Sequence, residues 1–236
     1  MADKGTLYLI PSPLGEGQIH TIPDYVLEVL HRLDYFIAER AKTARHFIKA
    51  TQPTRPLDVL HFYELNQHTE PEEWIHFLQE AEAGHDMGLL SEAGCPGIAD
   101  PGAVIVALAH RKGIQVVPFV GPSSIFLALM ASGLNGQDFA FRAYLPQKKP
   151  ELIRELKWLE QRCLKNRQTQ IFIETPYRNQ SMLETALETL SHDIQFCIAA
   201  DLTLPSEFIR TQSIAEWRRS ELPNLHKRPA VFLMGK

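Results

Sequence analysis

The chain has little cysteine, three in 236 residues. Cys95, Cys163 and Cys197 are widely separated, form no CxxC pair and have no histidine at zinc spacing, which argues against a disulfide framework and against a bound metal. It lacks any apolar run long enough to span a bilayer, and Met1-Ala2-Asp3-Lys4-Gly5 leads into a strand without the pattern of a signal peptide. No membrane partner and a cytoplasmic location are therefore expected. A basic excess is missing too. With a net charge of −4 the surface is a poor general trap for polyanions, so any nucleic acid must be met by local groups such as Lys148-Lys149, Arg218-Arg219 or Lys227-Arg228. HExxH, GxSxG, GxxxxGK[ST] and EF-hand patterns are absent, as are internal repeats, which withdraws support from most metal-dependent and Ser-His-Asp chemistries.

What is present reads as an ordinary globular α/β chain, 44% apolar and 22% charged. Short apolar runs at Thr6 to Ile10, Tyr35 to Glu39, Val59 to Tyr63, Met87 to Leu90 and Ile114 to Val117 alternate with helical patterns. The helices are expected after a Thr21 cap with Pro23 in the first turn, then over Lys42 to Ala50, Pro71 to Ala83, Ala103 to Lys112 with Asp100 as N-cap and Pro101 at the first helical position, and Ile125 to Ser132. Such alternation predicts a mostly parallel sheet with helices on both faces. Leu145-Pro146-Gln147-Lys148-Lys149-Pro150 reads as a linker. It divides an N-terminal domain, 1–146, from a smaller mixed α/β domain, 147–236. In the latter, helices are expected over Glu151 to Cys163, Gln180 to Leu190 and Ala215 to Arg218, and strands over Gln170 to Ile173, Ile194 to Ala199, Glu207 to Thr211 and Ala230 to Met234.

Two successive strand-loop-helix units, from Asp86 to Gly133, carry loops rich in Gly and Pro. Ligands of open α/β sheets sit outside the carboxyl ends of the strands, and a helix start there can hold an anionic group. The same residues serve as turn punctuation and caps, and the two roles are compatible. A dinucleotide fold is tested and fails: Gly15 and Gly17 follow the first strand and Glu39 ends the second, but no third glycine follows and the helix begins late.

Gly5 to Gly15 (GTLYLIPSPLG), Ser91 to Gly102 (SEAGCPGIADPG), Gly121-Pro122-Ser123-Ser124 with Ala131 to Leu134, Leu145-Pro146 with Lys148-Lys149, and Ile173 to Arg178 (IETPYR) occur in an order that resembles the tetrapyrrole methylase superfamily. Among its branches the chain is most similar to the bacterial 16S rRNA cytidine ribose 2′-O-methyltransferases. The resemblance implies a two-domain α/β protein, usually a homodimer, that holds S-adenosylmethionine in the cleft between domains. Carried over by position, Pro11, Glu92, Ala93, Gly94, Cys95, Ser123, Ser124, Ile125, Thr175 and Pro176 would contact the cofactor. If the substrate is RNA of the small ribosomal subunit, the charge balance requires a local patch, and Arg40, Lys42, Lys148, Lys149 and Arg178 are the basic groups expected to meet it.

The substrate-side motifs depart from that branch: Gly15-Glu16-Gly17, Glu39-Arg40-Ala41-Lys42, Tyr63-Glu64-Leu65-Asn66 and Glu92 replace its usual residues. A small-molecule acceptor such as a tetrapyrrole, or a cofactor-binding protein without turnover, therefore stays open. A ribose hydroxyl is a poor nucleophile and needs a positioned base. Glu39 and Glu92, at strand ends, are the catalytic candidates, with Glu64 behind them.

Overall fold

The computed structural model describes residues 3–66 and 68–236. The chain forms two compact units, Met1–Ser123 and Ser124–Lys236.

In the first unit β1 (Thr6–Ile10), β2 (Tyr35–Ala38), β3 (His61–Glu64), β4 (Met87–Leu90) and β5 (Gln115–Pro118) form one sheet in the order β3-β2-β4-β1-β5. Every pairing is parallel, with Leu7 opposite Met87 and Tyr35 opposite the same residue from the other side. Parallel strands covered on both faces are apolar in both registers, and β4 is buried at all four positions. Alternate residues go to opposite sides. Ile10, Phe36, Ala38 and Leu90 pack with Val26 and Leu30 of α1 (Asp24–Arg32) and with Phe47 and Ile48 of α2 (Ala41–Ala50). Leu7, Ile37, Met87 and Leu89 pack on the opposite face with Ile105 and Leu108 of α5 (Ala103–Arg111).

Several local expectations are corrected. Pro71 to Ala83 is two short helices, α3 (Pro71–Trp74) and α4 (Gln79–Glu82), because His76, Phe77 and Gln79 bond three residues back and tighten the intervening turn. Thr21 closes a 3₁₀ turn, donating its hydroxyl to Gln18 O, and Pro23 is the cap position of α1. Asp100 is not the residue flanking α5, which begins after Gly102.

In the second unit β6 (Phe139–Tyr144), β7 (Thr169–Ile173), β8 (Gln195–Ala200), β9 (Phe208–Ser213) and β10 (Ala230–Gly235) form a mixed sheet, β6-β7-β10-β8-β9. Only β6 and β7 are parallel. Its core joins the stacked rings of Phe172 and Phe232 to α7 (Lys149–Asn166) through Leu152, Leu156 and Leu159, and to α8 (Asn179–Thr189) through Met182 and Leu183. Trp217, on the short α9 (Ile214–Trp217), is fully buried and donates its indole N–H to Phe196 O at 2.7 Å. Strand β6 has no counterpart in the sequence reading. Its alternation is interrupted by a register shift between Phe141 and Tyr144, with Ala143 at φ 51°. The units divide before the segment at 145–150, because α6 (Ser124–Ser132) packs on β8, β9 and β10 and β6 pairs with β7.

Candidate functional site

The connections of the first sheet reverse direction beside β1: from β1 the chain crosses to β2 and then outward to β3, and from β4 it crosses the other way to β5. The crevice at such a reversal is the usual ligand position of a parallel sheet. Here three loops meet at the carboxyl ends of β4, β1 and β5. Ser12 and Gly94 exchange backbone hydrogen bonds, each N–H to the other's carbonyl at 2.9 Å. The Ser12 hydroxyl donates to Ser91 O and the Ser91 hydroxyl to Gly94 O, both at 2.8 Å. Gly94 has φ +77°, a left-handed conformation that glycine adopts without strain. Gly121 lies against the ring of Pro11, where an added Cβ would be 2.2 Å from Cγ. No side chain fits there, so the absence of one is what lets the β5 loop close on the β1 loop.

A cavity of about 270 Å³ opens beside this junction. Leu14, Ile19, Ala44 and Phe47 supply apolar walls, Ser12, Ser91 and Glu92 polar ones, and Glu16 and His46 lie 4.0 Å apart at the exposed rim. A smaller hollow is lined by Glu39, Leu65, Leu90 and Asp100. Burial raises the Glu39 pKa, and the charges of Asp100 and Glu92 raise it further against the opposing effect of Arg40. Burial also raises that of Asp100, although the N–H groups of Gly102 and Gly97 donate to its Oδ1 at 2.7 and 2.8 Å. This corner thus holds coupled carboxyl groups whose shared field favours a proton or another cation.

The predicted residues are distributed unevenly. Pro11, Gly94 and Cys95 join the loop junction; Glu92 and Ala93 are exposed on its cavity side. Cys95 lies 3.5 Å from Pro122 O, and burial pushes its thiol away from the thiolate form a nucleophile needs. Glu64 accepts the N–H of Ala41 at 2.7 Å and so holds the start of α2. Ser123 ends the first unit.

Ser124, Ile125, Thr175 and Pro176 belong to the second unit, where Thr175 donates its N–H to the buried Glu174 carboxylate at 2.7 Å. Arg178 is engaged with Glu174 at 3.0 Å and with Gln147 O at 3.3 Å. Lys148 and Lys149 make exposed pairs with Glu151 and Glu188. Sequence reasoning missed Ser12 as the residue that ties the first two loops, and it read Asp100 only as a cap. The Ser-Glu-Ala-Gly and Asp-Pro-Gly spacing located the loops but carried no sign of which side chains would turn inward.

Among the described residues no helix is long and apolar enough to cross a membrane, and no three His, Cys, Asp or Glu side chains are grouped to hold a metal ion.

A family model described as Tetrapyrrole (Corrin/Porphyrin) Methylases matches residues 6–217. "Ribosomal RNA small subunit methyltransferase I" of Vibrio cholerae serotype O1 (strain ATCC 39315 / El Tor Inaba N16961) is 31% identical over 89% of this chain and 69% of the relative. The protein of the same name from Bacillus subtilis (strain 168) is 32% identical over 89% of this chain and 68% of its own length. Among solved structures, the methyltransferase CobJ aligns with a TM-score of 0.64 at 18% identity, covering 98% of this chain and 94% of that one. The cobalt precorrin-4 methyltransferase CbiF aligns at 0.62 and 16% over the same shares. At these identities the two structures speak to the fold alone. The family model and the curated relatives, which span most of the sequence and both sets of loops, establish that this chain is a methyltransferase belonging to the tetrapyrrole methylase family.

Proposed function

We propose that the protein transfers a methyl group from S-adenosylmethionine to a ribose 2′-hydroxyl of small-subunit ribosomal RNA. The observation that carries the reading is the similarity to small-subunit rRNA methyltransferases, about 30% identity across nearly nine-tenths of the chain. The site's chemistry suits the cofactor. The close approach of the loops at Gly94 and Gly121 frames the site, and the coupled carboxyls of Glu39 and Asp100 favour the cationic centres of the cofactor. When bound, its sulfonium would supply an electrophilic methyl group. In this reading Pro11, Ala93, Gly94 and Cys95 shape the floor of the cofactor site, and Ser123 stands at its edge. The contributions of Ser124, Ile125, Thr175 and Pro176 rest on the motif resemblance.

Glu39 is the proposed base. Its raised pKa brings the carboxylate nearer the range in which it accepts a hydroxyl proton, while Glu92, more exposed, orients the acceptor. Arg40, Lys42, Lys148 and Lys149 would meet phosphates, since exposed ion pairs such as Lys149 with Glu188 are worth little and open readily. Arg178 would have to leave Glu174 to do the same. A homodimer is inferred as well: Phe126 and Met130, one turn apart on α6, are 56% and 79% exposed, and sedimentation at micromolar concentration should show the dimer mass.

The test is transfer of labelled methyl into small ribosomal subunits from a deletion strain, with mapping of the modified nucleotide. Incorporation at a single ribose of the particle is the expected result, in excess of that into protein-free rRNA, because an acidic chain binds naked RNA weakly. If a tetrapyrrole accepts methyl and neither RNA form does, the acceptor is the small molecule.

A further inference from the structure

The second unit carries a surface that the cofactor loops do not explain. Between positions 154 and 166 the acidic residues of α7 are the half-buried Glu155 and the buried Glu160, and its fully exposed charges are all basic. Arg154, Trp158, Arg162 and Lys165 follow one another at intervals of four, four and three residues, which puts them on one stripe of the helix. The stripe is about 16 Å long at 1.5 Å per residue, enough to reach more than one phosphate of a strand. Trp158 is 39% exposed and carries two guanidiniums, Arg162 with Cζ 5.0 Å from the ring centroid and Arg142, from the edge strand β6, at 4.9 Å. Arg142 is held in place by its Nε–H to Gln170 Oε1 at 3.1 Å.

What sets these cations apart is their grouping around one aromatic ring. Among the described residues no carboxylate pairs with Arg142, Arg154, Arg162 or Lys165, whereas Lys157 beside them is drawn off to Glu160. A chain of net charge −4 that leaves four cations unpaired on one face, around a half-exposed indole, has a local potential opposite to its average. The geometry points to an RNA-docking surface on α7 and β6, with Arg154, Arg162 and Lys165 contacting phosphates and the Arg142–Trp158–Arg162 stack offering a planar platform to a base. Resting on the rRNA reading above, it adds which surface of the second unit holds the RNA. Arginine stacked on an aromatic ring keeps in-plane N–H donors for an anionic group, and the exposed ring beside them suits a stacked base, which an acidic peptide lacks.

The experiment compares wild type with the triple variant Arg154→Glu/Arg162→Glu/Lys165→Glu and with a charge-matched control, Lys49→Glu/Arg111→Glu/Arg219→Glu. Binding to isolated small-subunit rRNA and to small subunits is followed across a salt titration. The triple variant should lose affinity at least tenfold and its log-log salt slope should fall by about 2 to 3, at roughly 0.7 to 0.9 per phosphate contact. The control should lose less than half of that. S-adenosylhomocysteine binding by calorimetry should be unchanged in both, showing that each is folded with its first unit intact. Trp158→Ala should weaken single-stranded RNA binding about tenfold with the slope unchanged, and Trp158→Phe should restore most of it.

Equal affinity and slope in wild type and the folded triple variant would overturn the proposal. So would tighter binding of phosphatidylglycerol vesicles or polyglutamate than of RNA through the same residues. Loss of methyl transfer to particles by the wild type, with stripe-dependent RNA binding retained, would instead count against the methylation reading alone.

Discussion

Glu39 shows how a single carboxyl can be read in two ways that one variant separates. Its folded-state pKa lies above the ordinary glutamate value, first because of burial and then because of Asp100 and Glu92. The fold therefore favours the protonated form: that stabilisation is complete below the unfolded pKa and is lost as pH rises through the raised one. Glu39→Gln removes the loss. The variant should melt higher than wild type near pH 8, and the two curves should converge as pH falls toward about 4. If Glu39 also serves as the base, the same variant should lose methyl transfer by roughly a hundredfold or more. A higher melting temperature with unaltered turnover would assign Glu39 to electrostatics only. The opposite sign holds for Glu160 in the second unit. Burial pushes its carboxyl up, but Lys157 and the Ser191 N–H outweigh burial and hold it below the usual range, so its contribution is present at neutral pH and fades on acidification. Acid titration of Glu160→Gln should show a deficit at pH 7 that shrinks as pH falls.

At the scale of elements, the site depends on loops that fit because Gly121 has no Cβ and Gly94 takes a left-handed conformation. In the β5 loop, Gly121→Ala would drive a methyl group into the Pro11 ring, forcing the β1 and β5 loops apart. The expected cost is about 1 to 3 kcal/mol, measured as a lower denaturation midpoint with an unchanged m-value. S-adenosylhomocysteine affinity should fall at least about tenfold, because both displaced loops line the proposed site. Unchanged affinity in the folded variant would show that the cofactor lies elsewhere. The elements also show where the residues alone were a sufficient guide. Met87 to Leu90 and Ala103 to Lys112 stand out as a fully apolar run and an apolar helix ended by Gly113, and the structure has β4 and α5 there. Strand β6 was hidden because its bulge at Ala143 breaks the period of two, and the gap between α3 and α4 because 3₁₀ turns keep an apolar spacing close to that of an α-helix.

For the whole molecule, a ligand bound only by the folded state should raise stability by RT ln(1 + [L]/Kd), about 2.7 kcal/mol at a hundredfold excess over Kd. S-adenosylhomocysteine should shift the melting temperature in that proportion with one site per chain, and NAD should leave it unmoved. No shift at saturation would remove the cofactor from the proposal. The sequence by itself determined the alternation of strands and helices, the parallel first sheet and the family, because apolar periodicity and the order of Gly-Pro loops are local properties carried along the chain. Only the tertiary structure decided that Ser12 pairs with Gly94, that Gly121 closes on Pro11, that Glu39 shares its field with Asp100, that Glu64 is spent on the start of α2 and that Arg142 meets Trp158 and Arg162. In most of these the partners are tens of residues apart. Their meeting follows from strand order and crossover direction, which bring distant loops to one end of a sheet, and no local pattern encodes which side chains will then face one another.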